Sequence, residues 1–156
     1  MSRMTRRSMF AAGALGAAAA AGLAGPAAGA AAAPMTPAEK ANLDLVNAFC
    51  KSWGDKATTV AEIMSHMTED CSFQINGQPP VIGKAAVTAT FEGFFRDGSV
   101  YEMITHETFV KGPVVINART DTTIKPTGRA KPSPIVGIFL FKDGKIHEWE
   151  EIIYPA

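Results

Sequence analysis

The amino-acid sequence predicts an α+β domain in which N-terminal helices pack on a curved, mixed or antiparallel β-sheet that encloses a pocket. Three observations carry this reading. Apolar residues recur at helical spacing through most of residues 37–95, alternating apolar runs dominate residues 100–154, and Lys142-Asp143-Gly144-Lys145 lies between two such runs, a strong hairpin signal.

Each element follows from local chemistry. Thr36-Pro37-Ala38-Glu39 forms a capping box with proline in the first turn, and Leu43, Val46, Cys50 and Trp53 repeat at helical spacing, so a helix is expected over residues 37–53. A shorter helix follows, with Val60, Ile63, Met64 and Met67 on one face. A strand over residues 71–76 ends at the turn-prone Asn76-Gly77 and at Pro79-Pro80. Gly83-Lys84 opens a third helix carrying Val87, Phe91, Phe94 and Phe95, closed by Asp97-Gly98. Strands are expected at 100–111, 113–124, 134–142 and 145–154.

The chain has 156 residues, and the first thirty read as a leader. Arg3, Arg6 and Arg7 precede an Ala- and Gly-rich stretch ending in Ala28-Gly29-Ala30, the pattern of a cleavable export signal. The pair Arg6-Arg7 after Thr5, with Phe10 following, resembles the twin-arginine class, so the mature protein is expected to be periplasmic or secreted. Residues 31–36 then form a flexible start and residues 37–156 a single domain. Cleavage after Ala30 leaves 12 basic against 15 acidic residues, a net charge of about minus three. No basic run remains to meet nucleic acid, and no second apolar stretch is long enough to span a bilayer. Cys50 and Cys71 are equally compatible with one disulfide and with two buried thiols. Three scattered histidines offer no metal-ligand spacing, and no Gly-rich nucleotide loop marks an organic cofactor.

The chemistry lies in N-A-R-T-D, residues 117–121. In a strand, Arg119 and Asp121 share a face with Val115, so charge is aimed where core belongs. With Asp143 and Gly144 as the two turn residues, Leu140 should face His147, Ile138 should face Trp149, and Val136 should face Glu151. Glu151 then aligns with Val136, Ile138, Leu140 and Trp149. One cavity could hold Arg119, Asp121 and Glu151 together, with one carboxylate kept ionised by the arginine and the other kept protonated by apolar walls. The same spacing also fits a structural ion pair at the sheet edge, and His106 fits an ordinary edge histidine as well as a pocket residue.

These residues resemble the limonene-1,2-epoxide hydrolases, within the nuclear-transport-factor-2-like (NTF2-like) group of cone-shaped domains that also holds SnoaL-like and ketosteroid-isomerase-like proteins. The resemblance rests on EDCSFQINGQPPVIGK at 69–84, ARTD at 118–121 and PIVGIFLFKDGKIHEWEE at 134–151. It implies a cone with a pocket, frequent pairing of two copies, and metal-free addition of water to a small apolar epoxide. By position it makes Asp121 the general acid, Arg119 the bridge, and Glu151 the general base where the family has aspartate. The extra methylene displaces the base by about 1 Å, a shift that can cost about a hundredfold in rate. Phe73 and Ile75 stand where the family has a water-holding tyrosine and asparagine, so Gln74, Asn76 or His106 would have to replace them. Three functions follow: an exported epoxide hydrolase, a non-catalytic binding protein for a hydrophobic molecule, or an isomerase or cyclase that shuttles a proton.

Overall fold

A computed structural model describes residues 34–154 of the chain. The expected leader at residues 1–30, its cleavage bond and residues 31–33 of the expected flexible start lie outside those residues. Three helices, α1 (Pro37–Ser52), α2 (Val60–Ser65) and α3 (Lys84–Phe95), alternate with and precede seven strands: β1 (Met67–Ile75), β2 (Val81–Ile82), β3 (Val100–Lys111), β4 (Val114–Lys125), β5 (Gly128–Arg129), β6 (Ser133–Lys142) and β7 (Lys145–Ile153).

The capping box of α1 is formed in both directions. The Thr36 hydroxyl accepts from the Glu39 amide at 3.2 Å, and the Glu39 carboxylate accepts from the Thr36 amide at 2.7 Å. The second carboxylate oxygen of Glu39 accepts from the Gly112 amide at 2.8 Å, which ties the start of α1 to the β3–β4 turn. Thr59 and Glu62 repeat the capping box on α2.

The strands form one mixed sheet in the order β2-β1-β7-β6-β4-β3, with β5 paired to the end of β4. β1 runs parallel to β7 and therefore lies beside the C-terminal strand, while the other pairings are antiparallel. The helices cover one face. Phe49 and Trp53 of α1 and Phe91 of α3 meet Phe73, Phe139 and Trp149 of the sheet, with Trp149 at 5.0 Å from Phe49 and 4.8 Å from Phe73 between ring centroids. The indole nitrogens of Trp53 and Trp149 have no hydrogen-bond acceptor among the described residues; each ring sits instead among edge-on aromatic neighbours.

Two β-bulges set which residues reach the covered face. In the β6–β7 hairpin, Lys142 pairs with Lys145 and Phe141 with Ile146, but Leu140 pairs with Glu148, so His147 is an extra residue. His147 is held by the Thr68 hydroxyl at 3.1 Å and lies 3.4 Å from the Asp70 carboxylate, both on β1. Beyond the bulge the register differs by one from the uninterrupted hairpin. Gly137, and not Val136, lies opposite Glu151, and Phe139, and not Ile138, lies opposite Trp149. Val136, Ile138 and Leu140, expected in the pocket, therefore belong to the opposite face, where they are half-buried.

The second bulge lies between Thr105 and Glu107. It leaves His106 exposed on the outer face, its Nε2 2.8 Å from the Thr120 hydroxyl, so His106 is not a pocket residue. Other differences are local. Met67 begins β1 instead of continuing α2, because apolar residues at that junction suit either element, and the two-residue strands β2 and β5 are too short to leave a periodic signal.

Candidate active site

Arg119 is the centre of the site. It is 2% exposed, and alternation along β4 places it on the helix-covered face beside Asn117 and Asp121. Its Nε donates to Asp121 Oδ1 at 2.9 Å and its Nη2 to Asp121 Oδ2 at 3.1 Å, a two-point pairing between neighbours on one strand. Its Nη1 donates to Asn117 Oδ1 at 3.0 Å. Its Nη2 also donates to Glu151 Oε1 on β7, with β6 between the two strands. The guanidinium carbon stands 5.8 Å from the Trp149 ring centroid.

Asn117 and Gly137 make this packing feasible. Asn117 and Gly137 are directly opposed on β4 and β6. A Cβ on Gly137 would overlap Arg119 Nη1 and fall 2.6 Å from Asn117 Oδ1 and 3.0 Å from the Phe139 ring. Only glycine lets the guanidinium cross β6 toward Glu151. The Asn117 amide is itself anchored against Cys50 Sγ of α1 at 3.6 Å.

Burial and mutual charge separate the groups electrostatically. Burial pushes the Glu151 carboxyl up to about 7, with Asp121 adding to the rise and Arg119 opposing it. Burial likewise raises Asp121 above its ordinary value, against the pull of Arg119. Burial acts against the charge of Arg119, but the two carboxylates more than offset it and the guanidinium stays cationic. Near neutral pH such a cluster holds a proton that can be moved between an acid and a base.

A cavity of about 220 Å³ opens beside the two carboxylates. Asp121 and Glu151 line it together with Trp53, Phe94, Tyr101, Met103, Ile75 and Trp149. Thr123 and Ser133 form its remaining polar wall and Lys131 lies at its edge. A wider groove of about 990 Å³ runs between the end of α1 and β3, but of its charged groups Lys51, Asp55 and Lys56 are exposed and Glu102 is half-buried, and none belongs to a buried cluster. The smaller cavity is the candidate active site.

The structure thus brings together Arg119, Asp121, Glu151, Ile75 and Trp149. Phe73 lies behind the cavity wall, packed 5.2 Å from Phe91 between centroids. The three candidates for a rebuilt water site on the β1 side do not provide one. Gln74 lies beside Glu150 on the opposite face, Asn76 turns at φ 48° and accepts from the Ile153 amide at 2.7 Å, and His106 is outside. Sequence reasoning missed Asn117 and Gly137, the inward residue Ile135, and the hydroxyls of Thr123 and Ser133. Alternation from Asp121 could have given Thr123; Ser133 is its neighbour only through β4–β6 pairing. Cys50 and Cys71 are both free, buried thiols, and burial pushes Cys50 up to about 11, away from nucleophilic use. Among the described residues no three metal-ligating side chains converge.

Two expected outcomes test this geometry. Gly137→Ala should destabilise the protein by about 1–3 kcal/mol in urea unfolding, because the added methyl displaces the Arg119 guanidinium; unchanged stability would show that Arg119 can be held another way. The raised pKa of Glu151 sets a sign for pH dependence. Stability relative to Glu151→Gln should be highest below the ordinary value of 4.5 and fall as pH rises to about 7, by no more than about 3 kcal/mol. Paired urea titrations of the two proteins at pH 4.5 and 8 measure it, and a constant difference would contradict burial as the dominant influence.

Comparison with known proteins agrees with this architecture. A structure of an M. tuberculosis LEH-like epoxide hydrolase superposes with a TM-score of 0.66 at 19% identity, covering 76% of this chain and 86% of that one. A putative SnoaL-like polyketide cyclase from Jannaschia sp. CCS1 gives 0.64 at 20% identity, covering 78% and 90%. A putative polyketide cyclase from Xanthomonas campestris pv. campestris gives 0.61 at 18% identity, covering 76% and 93%. At these identities the likeness is one of fold. The family model of the SnoaL-like domain matches residues 46–149, two thirds of the chain and every strand from β1 to β6, and the protein belongs to that family.

Proposed function

We propose that this protein adds water to a small apolar epoxide by one-step acid and base catalysis. The observation that carries the reading is the buried Arg119 joining two carboxylates, Asp121 and Glu151, at one wall of an otherwise largely apolar cavity. In the reaction one carboxylate takes a proton from water as the water oxygen bonds to an epoxide carbon. The other carboxyl gives its proton to the epoxide oxygen as the carbon–oxygen bond breaks. Arg119 keeps the two within reach of one small substrate and steadies whichever is ionised. A cavity of about 220 Å³ equals about seven water volumes, which suits a compact ligand. An LEH-like epoxide hydrolase has this same fold, which is compatible with the chemistry and supplies no substrate.

A second reading has its own observation. The β1 wall beside Glu151 is dry, formed by Ile75 with the buried Phe73 behind it, and a dry pocket also suits an isomerase or cyclase that moves a proton on a bound ring, or a protein that only holds such a ligand. Turnover of limonene oxide and styrene oxide in oxygen-18 water separates them. Diol carrying one labelled oxygen, reduced at least about a hundredfold in Asp121→Asn, is the outcome expected for hydrolysis. Binding without diol formation would select the second reading.

We also propose that two copies pair through the outer sheet face. Phe109, Ile116 and Ile138 align across β3, β4 and β6, and Ile104 and Phe109 are 50% and 60% exposed. Sedimentation velocity should show a dimer that Phe109→Asp with Ile138→Asp converts to folded monomer; a monomeric wild type would remove the proposal. Export through the N-terminal leader is part of the same reading, supported by the arginine-rich start and the small-residue exit at Ala28–Ala30.

A further inference from the structure

The cavity is chemically lopsided. Apart from Arg119, which both carboxylates share, the neighbours of Glu151 are apolar: Ile75 is its cross-strand partner on β1, Gly137 its partner on β6, and Trp149 and Ile153 flank it on β7. Around Asp121, whose partner on β3 is Met103, two of the neighbours carry hydroxyls. Ser133 is its direct cross-strand partner on β6, and Thr123 follows it on the same face of β4, both lining the cavity. Directly opposed residues on one face stand with their Cβ atoms about 5 Å apart, close enough for one water to touch both side chains.

We propose that the two carboxylates exchange the roles that the resemblance assigns them: Asp121, with the hydroxyls of Thr123 and Ser133, holds and deprotonates the water, and Glu151 is the acid that protonates the epoxide oxygen. The inference rests on the hydrolytic reading above. Polar groups that can fix a water lie on the Asp121 side, while the Tyr and Asn expected on the Glu151 side are replaced by Phe73 and Ile75. The two-point pairing with Arg119 favours the anionic form of Asp121 against the effect of its burial. The apolar neighbours of Glu151 favour its neutral, proton-donating form.

The step balances. A water O–H bond breaks and its proton passes to the Asp121 carboxylate while the water oxygen bonds to one epoxide carbon. The bond from that carbon to the epoxide oxygen breaks, and that oxygen takes the proton of the Glu151 carboxyl. The diol leaves, Asp121 loses its proton to solvent, and Glu151 regains one, restoring the starting state. No oxidant or reductant is required.

Azide distinguishes the two assignments, because it opens an epoxide without needing a base but still needs an acid. With Asp121 as base, Asp121→Asn should lose diol formation yet form azido alcohol with added sodium azide, whereas Glu151→Gln should form neither. Thr123→Val with Ser133→Ala should lower kcat for hydrolysis about tenfold or more while retaining azide opening, so the ratio of azido alcohol to diol rises. Rescue of Glu151→Gln in place of Asp121→Asn, rescue of both or of neither, or an unchanged product ratio in the hydroxyl variant overturns the exchange of roles alone. Absence of labelled diol from the wild-type protein overturns the hydrolytic reading, and this assignment with it.

Discussion

A guanidinium with no exposed side-chain surface needs anions and acceptors around it, and much of this domain is arranged to meet that need. Asp121 comes from the same strand, Glu151 from two strands away, and Asn117 fills the remaining side. Gly137 is required because the guanidinium crosses β6 at close range. Asn117 in turn rests on Cys50, so the packing of α1 against the sheet and the orientation of the arginine are one problem. Removing either carboxylate would leave a buried positive charge with half of its compensation, which couples the fold to the site.

The same cluster gives the cavity two groups that can carry a proton. Two carboxylates sharing one arginine in a buried setting cannot both ionise as readily as free acids. The apolar side, with Ile75 and Trp149 near Glu151, and the hydroxyl side, with Thr123 and Ser133 near Asp121, then give the two groups different surroundings. Related folds with epoxide hydrolase and polyketide cyclase descriptions share the sheet and the helices, so the scaffold alone does not choose the reaction. That choice lies in a few side chains on the inner face and in where a water can be held.

How far the site was legible in the sequence depended on whether local alternation continued unbroken. Along β4 it does, so the inward aim of Arg119 and Asp121 could be read from the residues themselves. Along β7, Trp149 and Glu151 keep their shared face for the same reason. Between the two strands of the hairpin it fails, because His147 bulges out to meet Thr68 and Asp70 on β1. One residue of slip exchanged Val136, Ile138 and Leu140 for Ile135, Gly137 and Phe139 on the covered face. His106 was misplaced by the same kind of event on β3.

By itself the sequence determined the three helices and the capping box of α1, the five long strands in their approximate positions, the hairpin turn, and the shared face of Arg119 and Asp121. Those features are encoded within a few residues of one another, through capping, spacing and alternation. Tertiary structure alone decided the strand order, with β1 parallel to β7, the two bulges, the close approach that demands Gly137, and the pairing that places Ser133 beside Asp121. These depend on contacts between residues distant in the chain, and a side chain's face is set by which partner its strand finds as much as by its own position.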